Sequence, residues 1–340
     1  MKRLLFFVVA AAVRFFASPV TIANEWQDDI LGNGYQMQYI KQKSDYAGEE
    51  RCCVVKKNCT TQTRRAILYV HGFNDYFFQA EMGNFFACNG YNFYAVDLRR
   101  YGRALMAGQR PFDVRDMGEY FADIDAALQI MLAEGNTEII LMGHSTGGLT
   151  TSYYMARGKG KRFNIKALVL NSPFLEMNMS AFLKDVAFPT LAWFSKFCPT
   201  VNISQGGGKG FYSKSLLKKY HGEWTFNTEW KREKSADVSL GWVGAIYRSQ
   251  AYLHTHPKSI KVPILLMHSS KSVYDEEWSD NYMRGDAVLN VADIRRYGLQ
   301  LGTNVTEFTV IDGLHDLFLS RRDVRFPLYT KVLAWMNRQK

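Results

Sequence analysis

The residues best suited to chemistry are Gly143-His144-Ser145-Thr146-Gly147. A run of apolar β-formers, Ile139 to Met142, leads into them, and a helix-compatible run, Leu149 to Arg157, follows. A serine between glycines at a strand–turn–helix junction reads as a nucleophile elbow. So tight a turn forces the serine into unusual backbone angles, and its small neighbours let strand and helix approach. Ser145 is then presented at the head of a helix whose N–H groups face developing negative charge. The alternative for such a pattern is a glycine-rich turn carrying a surface serine.

An alkoxide does not form unaided at neutral pH, so Ser145 needs a base. The chain has seven histidines. His71 and His144 belong to a loop and to the elbow. His221, His254 and His256 fall in or beside an aromatic-rich segment, and His268 ends a strand. His315 follows the last strand, in Gly313-Leu314-His315-Asp316. Nucleophile, acid, base is the chain order that accompanies a serine elbow, which makes His315 the base. The acid should then lie between Met267 and His315, where Asp275, Asp280, Asp286 and Asp293 are available. Asp286 precedes Ala287-Val288-Leu289 and a helix-like run, Val291 to Tyr297. A carboxylate at such a loop-to-helix junction is well placed to be held rigidly and to orient an imidazole. Asp286 is therefore favoured, with Asp275 as runner-up.

Ala66-Ile67-Leu68-Tyr69-Val70 reads as a buried strand running into His71-Gly72-Phe73. A strand ending in His-Gly supplies a second oxyanion-hole amide, so Phe73 and Thr146 are the expected backbone N–H donors. His71 itself reads as a structural histidine that fixes the loop. Tyr35–Ile40 and Cys52–Lys56 form an antiparallel hairpin around the turn at Asp45-Tyr46-Ala47-Gly48. From Ala66 to Ser172, strands alternate with helices, which is the signature of a parallel sheet with right-handed crossovers. The alternation stops between residues 174 and 257. That stretch carries Phe188, Trp193, Phe197, Trp224, Trp230 and Trp242, with a loop at Gly206-Gly207-Gly208-Lys209-Gly210. It reads as a cap inserted after the sixth strand, able to form an apolar acyl slot. The expected organisation is a leader over 1–23, a first core part over 24–173, the cap over 174–257 and a second core part over 258–340.

The 340 residues, 47% apolar and 22% charged, supply ample core and exclude a disordered chain. Met1-Lys2-Arg3, the apolar run Leu4 to Val13 and the small residues that follow have the layout of a secretory signal. The run is too short for a membrane span. Export, to a periplasmic or extracellular compartment, is expected. The net charge of +10 is spread over scattered pairs such as Lys56-Lys57 and Arg321-Arg322, which excludes a nucleic-acid footprint. It leaves a solvated surface or attraction to an anionic membrane. The five cysteines match no zinc spacing. Cys52 or Cys53 with Cys59 could close one disulfide, against a reading of all five as free thiols.

Tyr69-Val70-His71-Gly72-Phe73, Asp97-Leu98-Arg99-Arg100-Tyr101-Gly102-Arg103, Gly143-His144-Ser145-Thr146-Gly147-Gly148 and Gly313-Leu314-His315-Asp316 resemble the α/β-hydrolase superfamily. Within it they are similar to the branch that groups serine aminopeptidase S33-like hydrolases with monoacylglycerol lipases and lysophospholipases. The resemblance implies a mostly parallel eight-stranded sheet flanked by helices, a helical cap after strand six, and ester or amide hydrolysis without metal or other cofactor. Two stretches depart from the family pattern. Its strand-seven H-G-x-x-D appears as His268-Ser269-Ser270-Lys271-Ser272, with serine where the acid would stand, and Asp286-Ala287-Val288-Leu289 looks like the displaced element. Arg100-Tyr101 stands where glycine is common.

The sequence therefore reads as an exported serine hydrolase cleaving carboxylic esters, with a lysophospholipid- or monoacylglycerol-like substrate. A serine aminopeptidase acting on short peptides is the same-fold alternative and needs a carboxylate for the free amine; Glu223, Glu229 and Glu233 show no clear pattern. A non-catalytic binding protein of the same fold is opposed by the intact serine, histidine and oxyanion elements.

Overall fold

Runs rich in β-branched and aromatic residues gather into one sheet, which a computed structural model describes over residues 25–180, 182–204, 209–234 and 236–339. The expected leader and Gly206-Gly207-Gly208 lie outside the described residues. In chain order the elements are β1 (Gln27–Asp28), β2 (Gln36–Asp45), β3 (Gly48–Lys57), β4 (Arg65–Val70), α1 (Ala80–Cys88), β5 (Asn92–Asp97), α2 (Phe121–Ala133), β6 (Glu138–His144), α3 (Thr146–Ala156) and β7 (Ile165–Asn171). The inserted segment contributes α4 (Phe188–Phe194), β8 (Asn202–Ile203), α5 (Phe211–Leu216), β9 (Val238–Ser239) and α6 (Leu240–Thr255). The core then resumes with β10 (Ile264–Ser269), α7 (Val291–Gly298), β11 (Val305–Val310) and α8 (Arg322–Met336).

The main sheet has the order β1-β2-β3-β5-β4-β6-β7-β10-β11. Eight of these strands are the expected ones, and the two-residue β1 adds an edge. β1, β2 and β3 run antiparallel, and every pairing from β5 to β11 is parallel. Parallel strands buried on both faces read as continuous apolar runs with a period of two between faces. Ala66, Leu68 and Val70 of β4 join the core that holds α2 and α3, whereas Ile67 and Tyr69 join the one that holds α1 and α8. Ile139 and Leu141 against Ile140 and Met142 repeat that division on β6. The order reverses at β4, whose neighbours are β5 and β6. Open α/β sheets place their sites outside the carboxyl ends of strands at such a switch point.

Two departures from expectation follow from local packing. All five cysteines are free, and adjacent Cys52 and Cys53 point into opposite cores. This overturns the disulfide with Cys59: Cys52 and Cys53 are enclosed in the two cores, whereas Cys59 lies beyond the end of β3, its Sγ 3.4 Å from Thr61 Oγ1. Arg100 takes φ +64°, a left-handed conformation that glycine adopts most readily. Its guanidinium is fully buried on Glu50 at 2.6 Å and also pairs with Asp45, which holds an arginine in that left-handed conformation. The rest of the loop is similarly braced. Asp97 accepts from the Phe77 and Arg103 N–H groups at 2.8 and 3.0 Å, and Arg99 pairs with buried Asp123 at 2.7 Å.

Candidate active site

Ser145 follows β6 at φ +52° and ψ −118° and opens directly into α3. Crowding explains the flanking glycines. A Cβ on Gly147 would sit 2.3 Å from the carbonyl oxygens of Val70 and His71, and one on Gly143 would sit 2.5 Å from the Gly147 carbonyl oxygen. The strained turn is pinned where the Ser145 N–H donates to the Asn171 carbonyl at 3.0 Å and the Ser145 carbonyl accepts from Phe174 at 2.9 Å. Strain of this kind, of order 1–3 kcal/mol, persists only where its surroundings over-determine it.

His315 stands 2.9 Å from Ser145 Oγ through Nε2 and 2.9 Å from Asp286 Oδ2 through Nδ1. A carboxylate only accepts, so Nδ1 carries the proton toward Asp286 and Nε2 is free to accept from the serine hydroxyl. Asp286 is fully buried, and its other oxygen accepts the Val288 and Leu289 N–H groups, each at 2.8 Å. The His315 loop is tied to the elbow through Asn171, whose side-chain amide donates to Asp316 Oδ1 at 2.7 Å while its Oδ1 accepts the Leu317 N–H at 3.2 Å. Asn171 thereby ties the Ser145 turn and the His315 loop together from the end of one strand.

The other acid candidates lie elsewhere. Asp275 accepts from Asn281 at 3.0 Å and from Ser279 within its own loop, and those bonds lower its pKa. Asp293 pairs with Lys184 at 2.7 Å, and Asp280 is exposed. Ser272 bridges to Asp286 in parallel register, with backbone bonds from the Asp286 N–H to Lys271 and from the Val273 N–H to Asp286. Its hydroxyl donates to the Leu289 carbonyl at 3.0 Å and accepts the Val291 N–H at 2.9 Å. A serine where the family has its acid thus secures the loop that carries Asp286.

Phe73 and Thr146 flank the serine. A Cβ on Gly72 would lie 3.1 Å from Ser145 Cβ, so the loop after β4 abuts Ser145. Thr146 opens α3, where first-turn N–H groups have no intrahelical acceptor. His71 is spent structurally: Nε2 accepts the Leu98 N–H at 3.1 Å, leaving Nδ1–H to donate to the Gly72 carbonyl at 2.8 Å. His268 faces Glu307 at 3.0 Å, away from the serine.

A cavity of about 590 Å³ opens over Ser145 and His315. Phe174, Phe188, Leu191, Trp242, Val243 and Leu289 give it an apolar lining, while Asn74, Asp75, Lys231 and Arg232 give it a polar one. Lys231 and Asp75 form a buried ion pair at 2.9 Å. The sequence reading missed Asn74, Asp75 and Lys231. The only local signal was the position of Asn74-Asp75 directly after Phe73.

His144 has its ring centroid 4.9 Å from that of His315, and its Nδ1–H donates to the Asn171 carbonyl at 3.1 Å. Burial lowers its pKa below the ordinary 6.5, outweighing the opposing field of Asp316. In the window below 6.5 the unfolded chain binds more protons at this position than the folded one, so its contribution to stability grows as pH rises and is complete above 6.5. His144→Gln is therefore expected to flatten the rise of Tm between pH 5 and 7, measured by thermal unfolding beside the wild type.

Comparison with known proteins gives the chain's family and fold. The family model described as serine aminopeptidase, S33, matches residues 61–282, a stretch that holds the loop after β4 and the Ser145 turn and ends before Asp286. No curated protein matches the sequence. Among solved structures, a soluble variant of monoglyceride lipase from Saccharomyces cerevisiae superposes with a TM-score of 0.65 at 17% identity, covering 94% of this chain and 99% of that one. Monoacylglycerol lipase from Paleococcus ferrophilus gives 0.58 at 16% identity, covering 84% and 99%. A carboxyl esterase from Bacillus coagulans gives 0.59 at 13% identity, covering 89% and 98%. At such identities the likeness is one of fold, and the family assignment rests on the matched stretch. The chain belongs to the serine aminopeptidase S33 family and has the α/β-hydrolase fold.

Proposed function

We propose that this protein is an exported serine hydrolase that cleaves carboxylic esters of acyl chains, of the lysophospholipid or monoacylglycerol kind, through an acyl-enzyme. The observation that carries the reading is the unbroken relay Ser145–His315–Asp286, with both hydrogen bonds at 2.9 Å. Ser145 Oγ attacks the ester carbonyl carbon while His315 Nε2 takes its proton. The carbonyl oxygen becomes an oxyanion facing the Phe73 and Thr146 N–H groups. Collapse expels the alcohol, which leaves with the proton from His315. Water then attacks the acyl-enzyme by the same route and releases the carboxylic acid.

Ester is favoured over peptide by the carboxylates near the cavity. An aminopeptidase needs one for the substrate amine, yet Asp75 is paired with Lys231, and Glu233 is engaged by Lys219 and Tyr220. Glu223 faces Arg325, and Glu229 is exposed outside the cavity lining. Fold neighbours named as lipases and an esterase support the same choice. In a panel of p-nitrophenyl esters beside aminoacyl anilides, kcat/KM should rise by up to about fourfold per added methylene until the slot fills, because each buried methylene is worth about 0.8 kcal/mol. Anilides turned over faster than every ester would reverse the choice.

The cap also offers a lipid-facing surface. Phe182, Leu183, Val186, Trp193, Phe194 and Phe197 stand exposed along one stretch, in a chain of net charge +10. Among the described residues no helix is long and apolar enough to cross a membrane. Docking onto an anionic bilayer fits both facts. Trp193→Ser with Phe197→Ser is expected to weaken sedimentation with phosphatidylglycerol vesicles by about a hundredfold or more, at about 1.5–3 kcal/mol per aromatic withdrawn from lipid. Turnover of p-nitrophenyl butyrate should be unchanged.

A further inference from the structure

The loop that carries the Phe73 amide is held by the cap. Hydrogen bonds from the core stop at His71 and resume at Phe77, whose N–H donates to Asp97 at 2.8 Å; between them the core meets the loop through ring packing, Phe73 on Phe112 at 5.2 Å and Tyr76 on Phe78 at 5.4 Å. The four residues between Gly72 and Phe77 each touch the segment inserted between β7 and β10. The Phe73 ring packs 5.0 Å from the Trp242 ring. Asn74 pairs with the Arg232 backbone in both directions, its Nδ2 donating to the carbonyl at 2.8 Å and its Oδ1 accepting the N–H at 2.8 Å. Asp75 accepts from Lys231 Nζ at 2.9 Å, with both side chains buried. The Tyr76 hydroxyl accepts the Asn227 N–H at 2.8 Å, and its ring meets Trp230 edge-on at 5.1 Å.

Asn74 takes φ +50°, a left-handed conformation that asparagine tolerates better than most residues. The second Asp75 oxygen, Oδ2, is buried with no hydrogen-bond partner among the described residues, which leaves Lys231 as the hydrogen-bonded counter-charge on that side chain. Without Lys231 the carboxylate would stand buried and uncompensated, and the loop would have to move to rehydrate it.

We infer that this contact is a latch: the docked cap positions the Phe73 N–H, and Asn74 and Lys231 are positioning residues for the oxyanion hole. The inference rests on the hydrolase reading above. An oxyanion donor acts only within about 2.7–3.1 Å of the oxygen it stabilises. Displacement of a reacting group by about 1 Å can cost on the order of a hundredfold in rate. Fixing the loop from the cap supplies that alignment before substrate arrives, so cap docking and oxyanion competence are one event.

Two variants separate alignment from stability. Asn74→Gly keeps the left-handed φ accessible and removes only the paired bonds to Arg232. Lys231→Met keeps the stem and removes the charge. Each should lower kcat on p-nitrophenyl butyrate by about ten- to a hundredfold per titrated active site, with KM within about twofold. Each should weaken a trifluoromethyl ketone, whose tetrahedral adduct places its oxyanion in the hole, by the same factor. A purely structural contact would lower Tm and leave both quantities alone, and that result in both variants, with a fluorophosphonate adduct on wild-type Ser145, overturns the latch by itself. Absence of the adduct from the folded wild type overturns the hydrolase reading, and the latch with it.

Discussion

Ser145→Ala is expected to lower kcat for ester hydrolysis about a millionfold, and His315→Ala by a similar factor, with the double variant little worse than either. The two side chains act as one unit. His315 Nε2 has no proton to take once Oγ is gone, and Oγ without His315 remains a weakly acidic alcohol. A residual acceleration on the order of a thousandfold over water should persist, because the oxyanion amides and the cavity remain. The measurement is kcat on a p-nitrophenyl ester, with mass spectrometry after fluorophosphonate treatment locating the adduct. An active Ser145→Ala variant would sink the proposed mechanism. The fold should tolerate the change, because the elbow is held by the Ser145 backbone bonds to Asn171 and Phe174 rather than by the hydroxyl.

What could be read from the sequence was what is locally determined. The elbow needs a strand, two small residues and a helix, all within twenty residues of Ser145. The central strands announce themselves as apolar runs because parallel strands are buried on both faces. Other features depend on chain segments far apart. The sequence shows serine at 272 and aspartate at 286, but not that a backbone bridge lays the two side by side. It shows Arg100 in place of glycine, but not that Glu50 and Asp45 from the N-terminal hairpin hold its buried guanidinium. The latch was hardest to see, since Asn74 and Arg232 lie 158 residues apart and meet only once the cap has folded back. The cysteines allowed two readings because the sequence does not show that Cys52 and Cys53 are buried within β3 while Cys59 lies past its end.

Asp286→Asn is expected to cost about ten-thousandfold in kcat, while Asp275→Asn stays within about twofold of wild type. The argument lies in how the carboxylate is held. Its Oδ1 accepts two backbone N–H groups, from Val288 and Leu289 at 2.8 Å each. An asparagine there must keep its carbonyl oxygen on those donors, since turning the NH₂ toward them would set donor against donor. The NH₂ then faces His315 Nδ1, which can meet it only as an acceptor. That forces the proton onto Nε2, the nitrogen that must receive the serine proton, and the base is lost with its geometry intact. Asp275, bonded to Ser279 and Asn281 in its own loop, touches none of these groups. Kinetics of the two variants on one ester decide the assignment: an active Asp286→Asn beside an inactive Asp275→Asn would transfer the role to Asp275. Crystals of Asp286→Asn should keep the His315 ring in place, because Asn171 and Asp316 secure its loop independently of the acid.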